Sequence, residues 1–254
     1  MNKIIEPIQT GPDHVSGSRL VAAIATSLGL AVAAGVATAY GLPRIAPSWG
    51  DANRLAAVIV LEVYAAIIVG HVVTFGGLRG LRNFVRIRST TAGQIGAALT
   101  VWVAMWIAAA ALYFVLSPFL WPLSSVRSAL LWVGADGGRL ADADLLLFTL
   151  AAGRAVIVTP FAEEILFRGS LFGWLRRRLP APAAVFVTAA LFAIAHPMPV
   201  LWPATLLFGL GAAWFRERSG SLTPFIIVHM VNSIALITVS YLVTGWNVPN
   251  LLDM

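Results

Sequence analysis

Residues 145–178 read LLLFTLAAGRAVIVTPFAEEILFRGSLFGWLRRR, an apolar run with Glu163, Glu164 and Arg168 near its centre and three arginines at its end. About 20 apolar residues cross a hydrocarbon layer of roughly 30 Å, so this run is long enough for a tilted span, or for one bent at Pro160. Ionised groups at bilayer depth are costly, and side chains retained there are by default functional candidates. If the surroundings are lipid, two adjacent carboxylates in this place need a chemical reason.

The composition says that they are lipid. Of 254 residues 59% are hydrophobic and only 11% charged, with a mean hydropathy of +0.86, outside the range of soluble globular domains. The reading is an all-α, polytopic transmembrane helix bundle of about seven spans, within six to eight. The +6 formal charge and pI near 10.7 do not form a basic domain for nucleic acid. The positive residues sit in short clusters between apolar runs, as topology signals do. Cysteine is absent, which removes disulfides, thiolate metal sites and a cysteine nucleophile. The polar first residues precede an apolar segment too long for a signal-peptide core, so the first helix is expected to remain in the mature protein.

Spans are expected near 20–42, 55–75 and 94–118, then through 145–178, and then near 182–198, 200–216 and 222–245. The stretch 119–144, with Pro122, Gly134, Gly137, Gly138 and three aspartates, reads as an extramembrane loop with room for a short interfacial helix. Arg79, Arg82, Arg86 and Arg88 follow the second span, Arg176 to Arg178 the fourth, and Arg216 and Arg218 the sixth. The positive-inside rule puts all three clusters, and the N-terminus, in the cytoplasm. No fixed-period repeat supports a two-halved transporter. The organisation expected is a cytoplasmic segment over 1–19, N-terminal spans with an outer loop over 20–144, a core that carries the charged motif over 145–245 and a tail over 246–254.

That topology places polar residues by depth. Glu163 lies about 20 Å from the cytoplasmic end of its helix, His196 a similar distance beyond residue 182, and His229 roughly 12 Å beyond residue 221. Glu164 and Arg168 are four apart with the acid first, the favoured order for an intrahelical ion pair. Glu163, rotated by roughly 100° from its neighbour, is left free to act as a general base in an apolar cavity. Phe192 and His196 share a helix face, and Pro197 ends that helix at the histidine. His229, Asn232 and Ser233 flank one side of the last span, an imidazole and a carboxamide suited to stabilise an oxyanion. Each of these groups alone could simply join helices by hydrogen bonds; their convergence at one depth argues for a site.

These stretches resemble the CPBP membrane proteases, named for CAAX proteases and bacteriocin-processing enzymes and also called intramembrane glutamic endopeptidases. The family's Glu-Glu-x-x-x-Arg stands here as Glu163, Glu164 and Arg168, and its Phe-x-x-x-His as Phe192 and His196. Its third motif has Asn four residues after His. Here His229 is followed by Asn232 at plus three and Ser233 at plus four, so either is a candidate second oxyanion donor. The resemblance implies a peptidase in which Glu163 and His196 activate water, and His229 with Asn232 or Ser233 holds the oxyanion. Glu164 and Arg168 would orient the helix, and Phe192 would shape the wall. It implies a peptide or lipidated protein substrate, lipid as surroundings, no nucleic acid and a multi-pass place in a prokaryotic plasma membrane. Eukaryotic relatives remove the last three residues of prenylated Cys-a-a-X proteins. No cofactor is expected; zinc is the lesser alternative, because the histidines and carboxylate have no local ligand spacing such as His-Glu-x-x-His.

Other chemistries fit less well. A serine protease of the membrane would need its nucleophile in a span, whereas SGSL at 219–222 lies in a basic loop. An aspartyl type would need two embedded aspartates, yet Asp136, Asp142 and Asp144 fall in the outer loop. The rival from another class is a non-catalytic immunity or scaffold protein, or a proton-coupled transporter, with Glu62 and His71 in its favour. Nine residues apart, those two face opposite sides of a helix. Glu62 is expected to join helices, and His71 to sit at the interface.

Overall fold

A computed structural model describes residues 16–46, 52–116, 119, 145–196 and 198–244. The expected interfacial helix of the outer loop, its three aspartates, most of the N-terminal segment and the C-terminal tail lie outside these residues. Among the described residues the chain forms eight helices and no strand. They are α1 (Gly17–Ile45), α2 (Ala52–Thr74), α3 (Leu78–Val85), α4 (Ala92–Leu116), α5, α6 (Ala181–Ile194), α7 (Trp202–Ser219) and α8 (Thr223–Thr244). Helix α5 runs without interruption through Leu145–Gly153, Arg154–Val158, Thr159–Glu163, Glu164–Leu171 and Phe172–Leu175, the second and fourth of these being π-helical. Seven of the eight match the expected spans. α1, α2 from Arg54 and α4 are long and apolar enough to cross a membrane by length and composition alone.

Ser16 caps α1, its Oγ accepting from the Arg19 backbone N–H at 3.2 Å. α1 lies along α2, and a Cβ built on Gly70 would stand only 2.3 Å from Ser27 Oγ, so only glycine permits this approach. With no hydrophobic drive between helices in lipid, such small-residue contacts set the packing. Thr38 of α1 donates to Glu62 of α2, which makes the expected interhelical bond. Apolar side chains such as Leu28, Val32, Ile107 and Phe186 point outward, a waste in water but the natural face toward lipid.

Helix α3 was not expected. Eight residues span about 12 Å, too short to cross, and the helix packs Leu81 and Val85 inward while Arg79 and Arg82 remain exposed. It also corrects the expectation for His71. Phe84 of α3 stacks on Phe75 with ring centroids 3.8 Å apart, Phe75 lies 6.2 Å from the His71 ring, and the histidine is fully buried rather than interfacial.

α5 is the central helix. Ile165 packs with Leu81 and Val85 of α3 and with Leu222 and Ile226 at the start of α8. Phe172 and Leu175 pack with Ala184 of α6 and Ala213 of α7. A third cluster joins Ala98 of α4, Phe192, Phe208, Phe215, Phe225 and Val228. The basic segments meet at one end: Leu222 N–H donates to Arg86 O at 3.1 Å, Thr223 Oγ1 to Arg88 O at 2.7 Å, and Arg176 Nε to Glu217 at 3.0 Å. A single basic face is what the positive-inside reading requires.

Candidate active site

The π-helical turn Glu164–Leu171 begins at the glutamate pair. Bonds from i to i+5 put more residues into each turn, so successive side chains rotate less than in an α-helix, and such turns recur at functional sites. Glu163 and Glu164 therefore both reach His229 of α8, through opposite edges of its ring. His229 Nδ1 donates to Glu164 Oε1 at 3.0 Å, and Nε2 stands 3.6 Å from Glu163 Oε2. The first is a hydrogen bond; the second is too long for one. Glu163 also accepts from the Tyr64 hydroxyl of α2 at 3.3 Å.

Glu164 is fully buried and paired with Arg168, whose Nη1 lies 3.1 Å from Oε1. That is the i,i+4 pair expected from sequence, and the bond to His229 is an addition to it. The Arg168 guanidinium, also fully buried, sits 4.1 Å from the centroid of the Phe192 ring. A desolvated guanidinium on an aromatic face gains a cation–π attraction. Phe192 is thus more than a wall. Its ring also meets His196 at 4.8 Å and His229 at 6.1 Å between centroids.

His196 sits just past the end of α6, as Pro197 implies. Its backbone N–H reaches Ala193 O at 3.0 Å, and its own carbonyl accepts from Trp202 Nε1 at 2.9 Å. Its Nδ1 donates to Phe192 O at 2.8 Å, because a carbonyl can only accept. That bond fixes the tautomer and leaves Nε2 as the basic nitrogen of the neutral ring. Among the described residues no direct hydrogen bond or ion pair joins His196 to Glu163, the two expected water activators.

Asn232 and Ser233 divide the remaining question between them. Trp102 and Trp106 of α4 each donate an indole N–H to Asn232 Oδ1 at 2.9 Å. An indole only donates, so the oxygen end of the amide is assigned by chemistry, and both of its acceptor sites are taken. The Nδ2 protons are left to serve a partner elsewhere. Ser233 has no such tether among the described residues.

Sequence reasoning missed Tyr64, Trp102 and Trp106. The tryptophans had a signal: they stand four apart and deep in a span, away from the interface where such residues collect. Tyr64 had none.

Residues 145–235 match a family model described as Type II CAAX prenyl endopeptidase Rce1-like. The match takes in all eight motif residues from Glu163 to Ser233, and leaves α1 to α4 outside it. Over this stretch the family model and the motif resemblance agree. No curated protein and no solved structure matches the chain.

Proposed function

Taking residues 145–235 as a CAAX-type peptidase domain, we propose that the protein is an intramembrane endopeptidase of a prokaryotic plasma membrane. It hydrolyses a peptide bond in a membrane-associated or lipidated protein with a carboxylate-activated water. The observation that carries this is the 3.6 Å gap between Glu163 Oε2 and His229 Nε2, the latter oriented by Glu164. A base and a potential donor face each other there without bonding to each other.

Glu163 takes a proton from water as the water oxygen adds to the peptide carbonyl carbon. The carbonyl electrons move onto oxygen, and His229 Nε2–H and Asn232 Nδ2–H donate to the oxyanion. As donor, the His229 ring carries a proton on each nitrogen, with Nδ1–H on Glu164. When the C–N bond breaks, Glu163 returns its proton to the leaving amine. His196 Nε2 is a second acceptor for the attacking water. We propose no metal in this scheme. Glu164 Oε1 is already shared between Arg168 and His229.

The test is cleavage of a mixed library of lipidated and unmodified peptides by detergent-purified protein, read by mass spectrometry with and without chelator. Cleavage that resists chelator and falls on the order of a hundredfold or more in folded His229→Ala supports the reading. Activity restored only by added zinc overturns the metal-free scheme, and a peptide set left intact by the folded wild type overturns the activity.

A second expectation concerns the two indoles. Trp102→Phe or Trp106→Phe leaves one donor on Asn232 Oδ1, and each costs only a few-fold. The double variant frees the amide to turn, and kcat falls on the order of tenfold to a hundredfold with KM little changed. A double variant no worse than either single one would remove Asn232 from the oxyanion role.

A further inference from the structure

At the basic end of the bundle a cleft of about 510 Å³ is lined by Arg79, Arg82, Asn83, Ile87, Arg88 and Ser89. Nothing in the catalytic scheme uses it. Topology requires only that positive residues be counted on this side of the membrane. It does not require that they converge on one hollow with an amide and a hydroxyl between them.

Arg216 adds the second observation. It is 4% exposed, and its Nε and Nη1 find no acceptor among the described residues. Arg86 and Arg88 stand close enough to repel its charge, and adjacent Glu217 offsets this only in part. Glu217 lies in the last turn of α7, and Arg176 holds both of its oxygens, at 3.0 and 3.1 Å. Arg216 does not line the cleft, but its buried charge adds to the positive field around Arg88, which does.

The cleft itself is held in shape. Arg82 Nε donates to Ile87 O at 3.2 Å, and the Arg86 carbonyl is tied to the Leu222 N–H at 3.1 Å. Arg86 takes a left-handed conformation, with φ of 58°, that turns the chain from α3 toward Arg88. Guanidinium forks match phosphate oxygens in pairs, and an amide and a hydroxyl can serve those that remain. Leu78, 74% exposed at the start of α3, offers an apolar neighbour for acyl chains.

We propose that this cleft binds a phosphate group, most simply the headgroup of an anionic phospholipid in the cytoplasmic leaflet, through Arg79, Arg82 and Arg88 with Asn83 and Ser89. The site also has a mechanical connection to the catalytic helix. Val85 packs so closely on α5 that a Cβ on Gly169 would lie 2.6 Å from its Cγ1. Headgroup binding therefore steadies α3 against the helix that carries Glu163 and Glu164.

The test needs no peptidase activity. Full-length protein in neutral detergent is titrated with phosphatidylglycerol, phosphatidylcholine and inorganic phosphate, and retention is read by native mass spectrometry. Wild type is compared with Arg82→Gln/Arg88→Gln and, as control, with Arg218→Gln, whose guanidinium lies 5.5 Å from the Trp214 ring centroid. Expected is one phosphatidylglycerol retained over phosphatidylcholine, bound at least about tenfold more weakly by the double variant and unchanged in the control. Inorganic phosphate bound with the same loss in the variant supports the phosphate chemistry and assigns a soluble source. Equal retention of both lipids, or an unchanged double variant with the thermal midpoint of the wild type, overturns the site.

Discussion

Glu163→Gln lowers kcat on the order of a thousandfold or more while leaving the thermal midpoint of the detergent-solubilised protein nearly where it was. Glutamine has the size of glutamate and keeps an oxygen for the Tyr64 hydroxyl, which donates at 3.3 Å. What it lacks is the ability to take a proton from water. Its amide also cannot return that proton to the leaving amine, so both halves of the reaction suffer. Tyr64→Phe removes the long hydrogen bond to Glu163 and costs a few-fold. The measurement is initial rate against peptide concentration for wild type and both variants. A folded Glu163→Gln protein retaining more than a tenth of wild-type kcat would sink Glu163 as the base. His196 Nε2, left basic by the Nδ1 bond to Phe192, would then be next to test.

The contrast between those two residues shows what can be read from one chain. Glu163 is legible because a carboxylate in an apolar run is an expense that needs a reason. Tyr64 is not, because tyrosine in a span is ordinary and its partner lies 99 residues away. The same division holds for Glu164. Its ion pair with Arg168 is local, set by helical spacing, and could be expected; its bond to His229 spans 65 residues and could not. The π-helical turns follow suit. Whether a backbone N–H bonds to i−4 or i−5 is decided by packing on neighbouring helices, and residues 164–171 carry no mark of the choice.

For the fold, the bilayer does the work that tertiary context does in water. It demands runs of fixed minimum length, so α1, α2 and α4 show in hydropathy alone. α3 escaped because it answers to another rule. Its arginines made the segment read as a loop between spans, and its helical face is visible only once Leu81 and Val85 have Ile165 to pack against. His71 was misplaced for the same reason: its depth followed from counting residues, but its burial came from Phe75 and Phe84 folding back over the end of α2.

The other large effect is on stability. Arg168→Met leaves Glu164 fully buried without its cation and is expected to cost about 3–5 kcal/mol, read as a lower midpoint in thermal unfolding. Glu164→Leu alone costs a similar amount, since the guanidinium keeps its place over Phe192 but loses its only ion-pair partner among the described residues. The double variant Glu164→Leu/Arg168→Met removes both charges and fills the space with apolar atoms, and it recovers most of that loss. It should nevertheless remain inactive. His229 Nδ1 would have no carboxylate to hold it, and the ring that faces Glu163 would turn freely. A double variant as unstable as either single one would mean that Glu164 and Arg168 do not act as a pair. One that regained both stability and activity would mean that Glu164 has no part in orienting His229. The arrangement predicts that the two properties separate, because one carboxylate answers to a cation for the fold and to an imidazole for the chemistry.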